Sequence, residues 1–522
     1  MFRSIPAYEV YDQIVNLNSS KSTIGTPVKC VKLACNYIYQ ALAEVYNQSL
    51  EQGIVPDELK LSKVTPIDKG GDISDAANFR PISTLSVFAQ ILEKLVYKQL
   101  INYIEKYDIL CQFQFGFRKG RSTEQAIAEI TDNLKKAIDN NLFTCGVFLD
   151  FAKAFDTVNH NILLTKMEKY GIRGLPLHWF TNFLTNRQQY VSMDGTESSK
   201  QKVVCGIPQG SSLGPLLFLI YINDIPNCSE KLSFRIFADD TKIFISSPNS
   251  IELETLVNQE ILKVKEWCDI NKLTINFKKT NYMIIKSRKK KMHNTFDIKI
   301  LNNEGSSYSL IQKDHIKYLG VLIDETISWK HHISFICSKI SRNSGIFLKL
   351  RHFISLQQLK QLYYNLVYPY LSYAVISWGS AYTSHLKRIQ AKQNHIIRDL
   401  FFATLYRKCT ESALPLMNLL DILTVENIFR LQLLKFSHQW HKKQLPSIFD
   451  EYFHYASDVH SYHTRYAAKG NFYKARFRTN AGKKTISALA VDCWRQLPTE
   501  MKNLSFFSFP KKVKQYLLSK QN

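Results

Sequence analysis

Acidic side chains are the minority in this 522-residue chain, with 44 Asp and Glu against 68 Lys and Arg and a formal charge of +24. An imbalance of that size implies a large anionic partner, because each phosphate neutralised by a cationic side chain releases condensed counterions. Paired cysteines are missing as well. The ten cysteines are scattered singly with no Cys-x-x-Cys, which excludes a disulfide framework; reduced thiols in an intracellular protein are the simple reading. His331, His332 and Cys337 lack a fourth ligand at zinc-like spacing and read as surface and packing residues. Long apolar runs are absent too. The longest, Leu213 to Ile222, is interrupted by Gly214 and Pro215 and falls short of the ~20 residues of a membrane span. The N-terminus has no basic-then-apolar secretory signal. No internal repeat or low-complexity linker divides the chain. What is present, 45% apolar and 21% charged residues, is the mix of a folded globular protein.

Periodicity places the elements. Residues 30–50 carry a helical apolar face through Val31, Cys35, Ile38, Tyr39, Leu42 and Val45, and 85–106 read as a second amphipathic helix. Between them lies a turn-rich stretch with the short β-like run Lys63 to Ile67. Ala126 to Ile138 is helical, Thr144 to Leu149 is an apolar strand ending on Asp150, and 157–185 are mainly helical. Residues 233–246 form two alternating runs separated by Ala238-Asp-Asp-Thr, a hairpin signal with acids at the tip. A helix follows from Leu253 to Trp267. Next come the alternating Leu273, Ile275 and Phe277, and then the apolar run Tyr282 to Ile285. Strands interleaved with helices predict an α+β fold with helices packed on one face of a sheet. Residues 329–440 are helical and aromatic. The last eighty are basic and weakly patterned, with a helix near Phe507 to Leu518.

Asp150, Asp239 and Asp240 are the acids that such a fold could bring together. An Asp-Asp pair in a turn is by itself ordinary turn chemistry. Crowded carboxylates repel unless cations sit between them, and Mg²⁺ prefers one or two carboxylates plus substrate phosphates.

The order of six segments adds to this. They are Asn78-Phe-Arg-Pro-Ile-Ser83, Gln114-Phe-Gly-Phe-Arg-Lys-Gly-Arg-Ser122, Leu149-Asp-Phe-Ala-Lys-Ala-Phe-Asp156, Gly206-Ile-Pro-Gln-Gly-Ser-Ser-Leu-Gly-Pro215, Phe237-Ala-Asp-Asp240 and Tyr318-Leu-Gly320. In wording and order they resemble the reverse transcriptases of non-LTR (LINE-type, jockey-like) retrotransposons. The likeness is strong over 50–325 and looser beyond, where Cys493-Trp-Arg-Gln-Leu-Pro498 resembles a family tail.

The resemblance implies a right-hand polymerase with fingers, ferredoxin-like palm and helical thumb. Residues 1–48 would be an N-terminal helical extension, 49–325 fingers and palm, 326–440 thumb and connection, and 441–522 a basic, mostly helical C-terminal region. It implies an RNA-directed DNA polymerase that joins dNTPs to a DNA 3′-OH on an RNA template. Two Mg²⁺ ions, or Mn²⁺ in their place, would sit on Asp150, Asp239 and Asp240, with the Phe151 carbonyl as a further ligand. Lys69, Arg80 and Lys279 (or its neighbour Lys278) would meet the triphosphate. Gln209 and Gly210 would lie against the incoming nucleotide, and Phe155 under its sugar, where a 2′-OH clashes. Tyr318, Leu319 and Gly320 would be a primer grip. The expected partners are RNA template, DNA primer or target and dNTPs, with no membrane; the expected place is intracellular, in nucleus or cytoplasm, as a ribonucleoprotein. The family's N-terminal endonuclease is not expected here and would come from elsewhere. Ser22-Thr-Ile-Gly-Thr-Pro27 stands where the family has an Asp-Gly-Ile-Pro-like string. The alternative reading is a truncated, catalytically decayed relic that still binds nucleic acid. A third, a viral RNA polymerase or a maturase, fits less well, since viral enzymes carry Gly-Asp-Asp where this chain has Ala-Asp-Asp.

Overall fold

The computed structural model describes residues 1–70, 72, 74–292, 296–301, 307–401, 412–459 and 464–521. Three helices, α1 (Ala7–Val15), α2 (Val28–Leu33) and α3 (Cys35–Gln52), open the chain. Strand β1 (Leu61–Asp68) and strand β2 (Phe79–Leu85) then pair antiparallel, Thr65 opposite Ile82. Helices α4 (Val87–Lys106) and α5 (Thr123–Asp139) precede β3 (Phe143–Leu149), whose seven residues are all buried. Ser122 starts α5 through a reciprocal capping box with Gln125, which satisfies two otherwise unpaired N–H groups. Helices α6 (His160–Lys169) and α7 (Leu175–Leu184) follow. Strands β4 (Gln188–Met193), β5 (Thr196–Glu197) and β6 (Gln201–Lys202) complete the first sheet, in the order β2-β1-β4-β5 with β6 also on β4.

Helix α8 (Gly214–Ile222) accounts for the longest apolar run: every residue in it except Pro215 is buried. A helix apolar on all faces belongs in a core. Among the described residues no helix is long and apolar enough to cross a membrane. The acid-tipped hairpin forms as β7 (Ser233–Phe237) and β8 (Asp240–Ser247), and helix α9 (Ser250–Ile270) leads to β9 (Asn281–Ile285). After the short pair β10 (Lys299–Leu301) and β11 (Ser307–Ser309), β12 (Ile311–Gln312) joins the second sheet, whose order is β12-β9-β3-β8-β7. The alternating Leu273 to Phe277 run makes no strand; Ile275 forms a single bridge to Phe151. Alternation here reflects burial of Leu273 and Ile275 in a loop, not a ladder.

Helices cover both faces of this sheet, not one as the pattern predicts. Cys145, Val147, Ile243, Tyr282 and Ile284 join the core that holds α4, α8 and α9. Their neighbours Phe148, Phe244, Met283 and Ile285 join a second core with α5 and the later helices. Side chains two apart share a face, so β3, apolar on both, shows no polar alternation from which a second cover could be read. The hairpin β13 (His315–Tyr318) and β14 (Val321–Asp324) leads into α10 (Lys330–Leu350) and a helical region reaching Ser519. The nine cysteines among the described residues are free thiols. His332 and Cys337 are buried in the second core, whereas His331 is half-exposed.

Candidate active site

Asp150 stands one residue past the end of β3 and is held from the loop before β9. Its N–H donates to Thr280 Oγ1 (3.2 Å), and its carbonyl accepts from the Asn276 N–H (2.8 Å). Leu149 pairs with Thr241 and Phe237 with Asp240, so the β7–β8 turn brings Asp239 beside Asp150. Ala238 takes the left-handed conformation at φ 57°, and Gln114 braces this tip, its Oε1 accepting from the Ala238 N–H (3.0 Å) and the Gly116 N–H (2.8 Å). A Cβ at Gly116 would fall 2.5 Å from the Ala238 nitrogen. Only glycine lets the second motif press against the fifth.

Asp150 and Asp239 line one cavity of about 840 Å³ together with Lys69, Arg80, Phe151, Phe155, Gln209 and Lys279. These eight were singled out by sequence and come from five separate stretches of chain. Lys279, and not Lys278, is the lining lysine. Burial raises the Asp239 pKa, and the charges of Asp240 and Asp150 push it further the same way. Five other residues singled out by sequence do not line the cavity: Asp240 pairs with Lys242 (2.9 Å), and Gly210, Tyr318, Leu319 and Gly320 lie outside the walls.

Lys242 explains where Asp240 goes. Its ammonium also donates to the Leu149 carbonyl (3.3 Å) and lies 5.9 Å from the centre of the Tyr318 ring. The acid pair of the tip is thereby split, one carboxylate facing the cavity and one facing a cation. Tyr318 is buried, and the Leu319 carbonyl accepts from Tyr373 Oη at 2.6 Å, fastening the β13–β14 turn to the helical region.

Gln209 is set by two contacts. Its carbonyl accepts from the Ser83 N–H (2.7 Å), and its side-chain amide donates to Asp156 (2.8 Å). Just beyond, buried Glu93 on α4 accepts from Ser211 Oγ and the Ser212 N–H, both at 2.7 Å. Burial pushes the Glu93 pKa up, while the Arg187 guanidinium and these hydrogen bonds offset part of the effect. At Gly210, φ is +131° and a Cβ would sit 2.3 Å from the Ser83 oxygen. Phe155 lies flat against Phe218 at 4.5 Å between ring centres, and its carbonyl accepts from Ile207 N–H (2.9 Å). Asp156, Glu93, Lys153 and Lys242 are residues that motif reading does not single out. Lys153 and Asp156 carried a signal, as letters of the Leu149–Asp156 motif.

Comparison with known proteins places this geometry. Residues 67–323 match the family described as reverse transcriptase (RNA-dependent DNA polymerase). Over 399 residues, 73% of this chain and 42% of the relative, the sequence is 27% identical to the RNA-directed DNA polymerase from mobile element jockey of Drosophila melanogaster. It is also 27% identical, over 75% of this chain and 43% of the relative, to a probable RNA-directed DNA polymerase from transposon X-element of the same fly. A Pol polyprotein from type-1 retrotransposable element R1 of Bradysia coprophila is 26% identical over 64% of this chain and 32% of its own length. The chain thus spans less than half the length of the curated relatives it matches. Residues 67–323, with their motifs in family order around one cavity lined by Asp150, Asp156 and Asp239, thus form a reverse transcriptase domain.

Proposed function

We propose that the chain is an RNA-directed DNA polymerase of a non-LTR retrotransposon, adding dNTPs to a DNA 3′-OH on an RNA template. The observation that carries this is the wall shared by Asp150 and Asp239 with the cations of Lys69, Arg80, Lys153 and Lys279. A cavity lined by both carboxylates and cations suits a metal-bound triphosphate. In this reading the first sheet and its flanking helices are fingers, the β12-β9-β3-β8-β7 sheet is a ferredoxin-like palm, and α10 with the helices after it is the thumb.

The donors fit a hard divalent ion. The charges of Asp240 and Asp150 help raise the Asp239 pKa, a crowding that a shared cation relieves, and oxygen donors match Mg²⁺ or Mn²⁺. Asp150 and Asp239 would hold it with the Phe151 carbonyl, and Asp240, paired with Lys242, would stay at the edge. Bound there, a pair of such ions supplies charge stabilisation to the attacking and leaving oxygens. The chain's own residues do the rest. Lys69, Arg80 and Lys279 neutralise the triphosphate as charge builds on pyrophosphate. Gln209, oriented by Asp156, borders the nucleotide. Phe155, stacked on Phe218, forms a rigid wall where a ribose 2′-OH would clash. The Tyr318–Gly320 turn positions the primer end, which supplies much of the rate because little covalent chemistry is left to the protein. The basic helical region holds the hybrid by its backbone and shape. Such work would take place in nucleus or cytoplasm, where RNA meets chromosomal DNA.

Primer extension on an RNA template with dNTPs and Mg²⁺ tests this beside Asp239→Ala. The wild-type chain should extend the primer, and the variant should lose activity by roughly a thousandfold while still binding the hybrid. If both incorporate equally little and both bind, the chain is a nucleic-acid-binding relic.

A further inference from the structure

Away from the cavity, one ligand atom from each of Asp314, His315 and His331 lies within 4.8 Å of the other two. His315 Nδ1 meets Asp314 Oδ1 at 2.8 Å. The rings of His315 and His331 are stacked, 4.2 Å apart and 4° from parallel. Two imidazoles in that arrangement repel when both are protonated, whereas a shared cation beside a carboxylate makes the same closeness favourable.

The backbones under these side chains are fixed on two different elements. His315 pairs with Asp324 at the open end of the β13–β14 hairpin, and the Asp314 carbonyl accepts from the Glu325 N–H (3.0 Å). His331 lies in the first turn of α10, whose start is pinned by the Asp324 carboxylate, which accepts from the N–H groups of Ser328 (2.9 Å) and Trp329 (2.7 Å). Convergence is therefore a property of hairpin and helix start, and not of a mobile loop. The adjacent His332 points into the core, so neighbouring histidines serve different faces of the helix.

Two imidazole nitrogens and one carboxylate oxygen form the ligand set of borderline divalent ions such as Zn²⁺ and Co²⁺, whereas Mg²⁺ prefers oxygen alone. Asp314 is exposed and both histidines are half-exposed, so an ion can enter and solvent can complete its coordination. We propose that Asp314, His315 and His331 form a transition-metal site, distinct from the carboxylate cavity, that fastens the β13–β14 hairpin to the first turn of α10. The Leu319–Gly320 turn is at the other end of that hairpin, so the ion stiffens the base on which the turn stands.

The full chain, stripped with chelator and dialysed into excess Mg²⁺, is titrated with Co²⁺ while its visible ligand-field absorption is followed. A single ion per chain with an imidazole-type band is expected. His315→Ala and His331→Ala should each weaken binding by about tenfold or more, a loss of about 1.4 kcal/mol, and His454→Ala, at an exposed position elsewhere, should not. Asp314→Asn, which keeps the side chain's shape, serves as the third probe if either alanine variant misfolds by circular dichroism, and should also weaken binding. No band in the wild type, or binding unchanged in the folded variants, overturns the site.

Discussion

Asp156 and Gln209 meet across 53 residues of chain at 2.8 Å, a contact made between two motifs that sequence presents as independent. Burial raises the Asp156 pKa, and the hydrogen bond from Gln209 and the charges of Lys153 and Lys69 act against that rise. The carboxylate therefore works as an acceptor that orients the amide toward the cavity. Asp156→Ala should lower kcat/KM for dNTP by about tenfold, the scale of one hydrogen bond to a charged group. In a double-mutant cycle, Asp156→Ala with Gln209→Ala should be little worse than either alone, because both remove the same interaction. Additive losses in steady-state kinetics would mean that Asp156 acts by another route. At this scale the legible residues were those whose chemistry is carried by their own motif, such as Asp150, Asp239 and Gln209. Glu93 and Lys242 were not legible, because an acid inside a helix pattern or a lysine in a strand gains its meaning from what folds against it.

Helix α10 shows the same limit one level up. Its apolar period is visible in sequence, but the state of His332 on it is decided by the rings of Trp329, Phe335 and Trp378 around it, with centroids 6.4, 6.3 and 5.8 Å away. Burial lowers the His332 pKa to about 4 from an ordinary 6.5. Because the folded-state value is depressed, the unfolded chain binds the proton first as pH falls. Stability from this group is complete above about pH 6.5 and drains away toward pH 4. Between pH 7 and pH 5 the wild type should lose about 2 kcal/mol more than His332→Leu. Urea denaturation of both proteins at the two pH values measures it, and parallel pH profiles would sink the assignment. The β7–β8 hairpin, by contrast, was fully legible, since alternation and a turn are local. The Leu273–Phe277 run was misleading for the converse reason: alternating burial arises in a loop pressed on a core as well as in a strand.

On the scale of the whole molecule, α5 ties the sheet to the C-terminal residues. Asp132 accepts from the Ile486 N–H at 2.5 Å. Lys135 donates to the carbonyls of Ser377 (3.3 Å) and Lys484 (2.9 Å) and to Ser380 Oγ (3.0 Å). Asp139 accepts from the Thr479 N–H (2.6 Å) and its hydroxyl (2.7 Å). Positions 132, 135 and 139 fall on one helical face. In sequence that face is three charges and suggests solvent; in the fold it is the buried seat of a segment more than 300 residues downstream. Asp132→Ala should cost about 2–3 kcal/mol, since it strips the buried Ile486 N–H of its acceptor and removes the carboxylate whose charge faces Lys136 and Lys135. Chemical denaturation reads the cost, and limited proteolysis should show the residues after 475 released first. Unchanged protection there would mean that the C-terminal region is held by its apolar contacts alone.

What the sequence determined by itself was local or ordered along the chain. It supplied the strand that ends on Asp150, the acid-tipped hairpin, the six motifs in family order and the cationic excess that calls for phosphate. Each of these depends on neighbours within a few residues, or on order alone. The opening scarcity of acids acquires its meaning only in three dimensions: Asp150 and Asp239 face the cavity, Asp240 is neutralised by Lys242, Asp132 and Asp139 seat the C-terminal region, and Asp314 stands with two histidines. A carboxylate's role is set by the charges and donors within a few ångströms of it, and those come from distant stretches of chain that only the tertiary structure brings together.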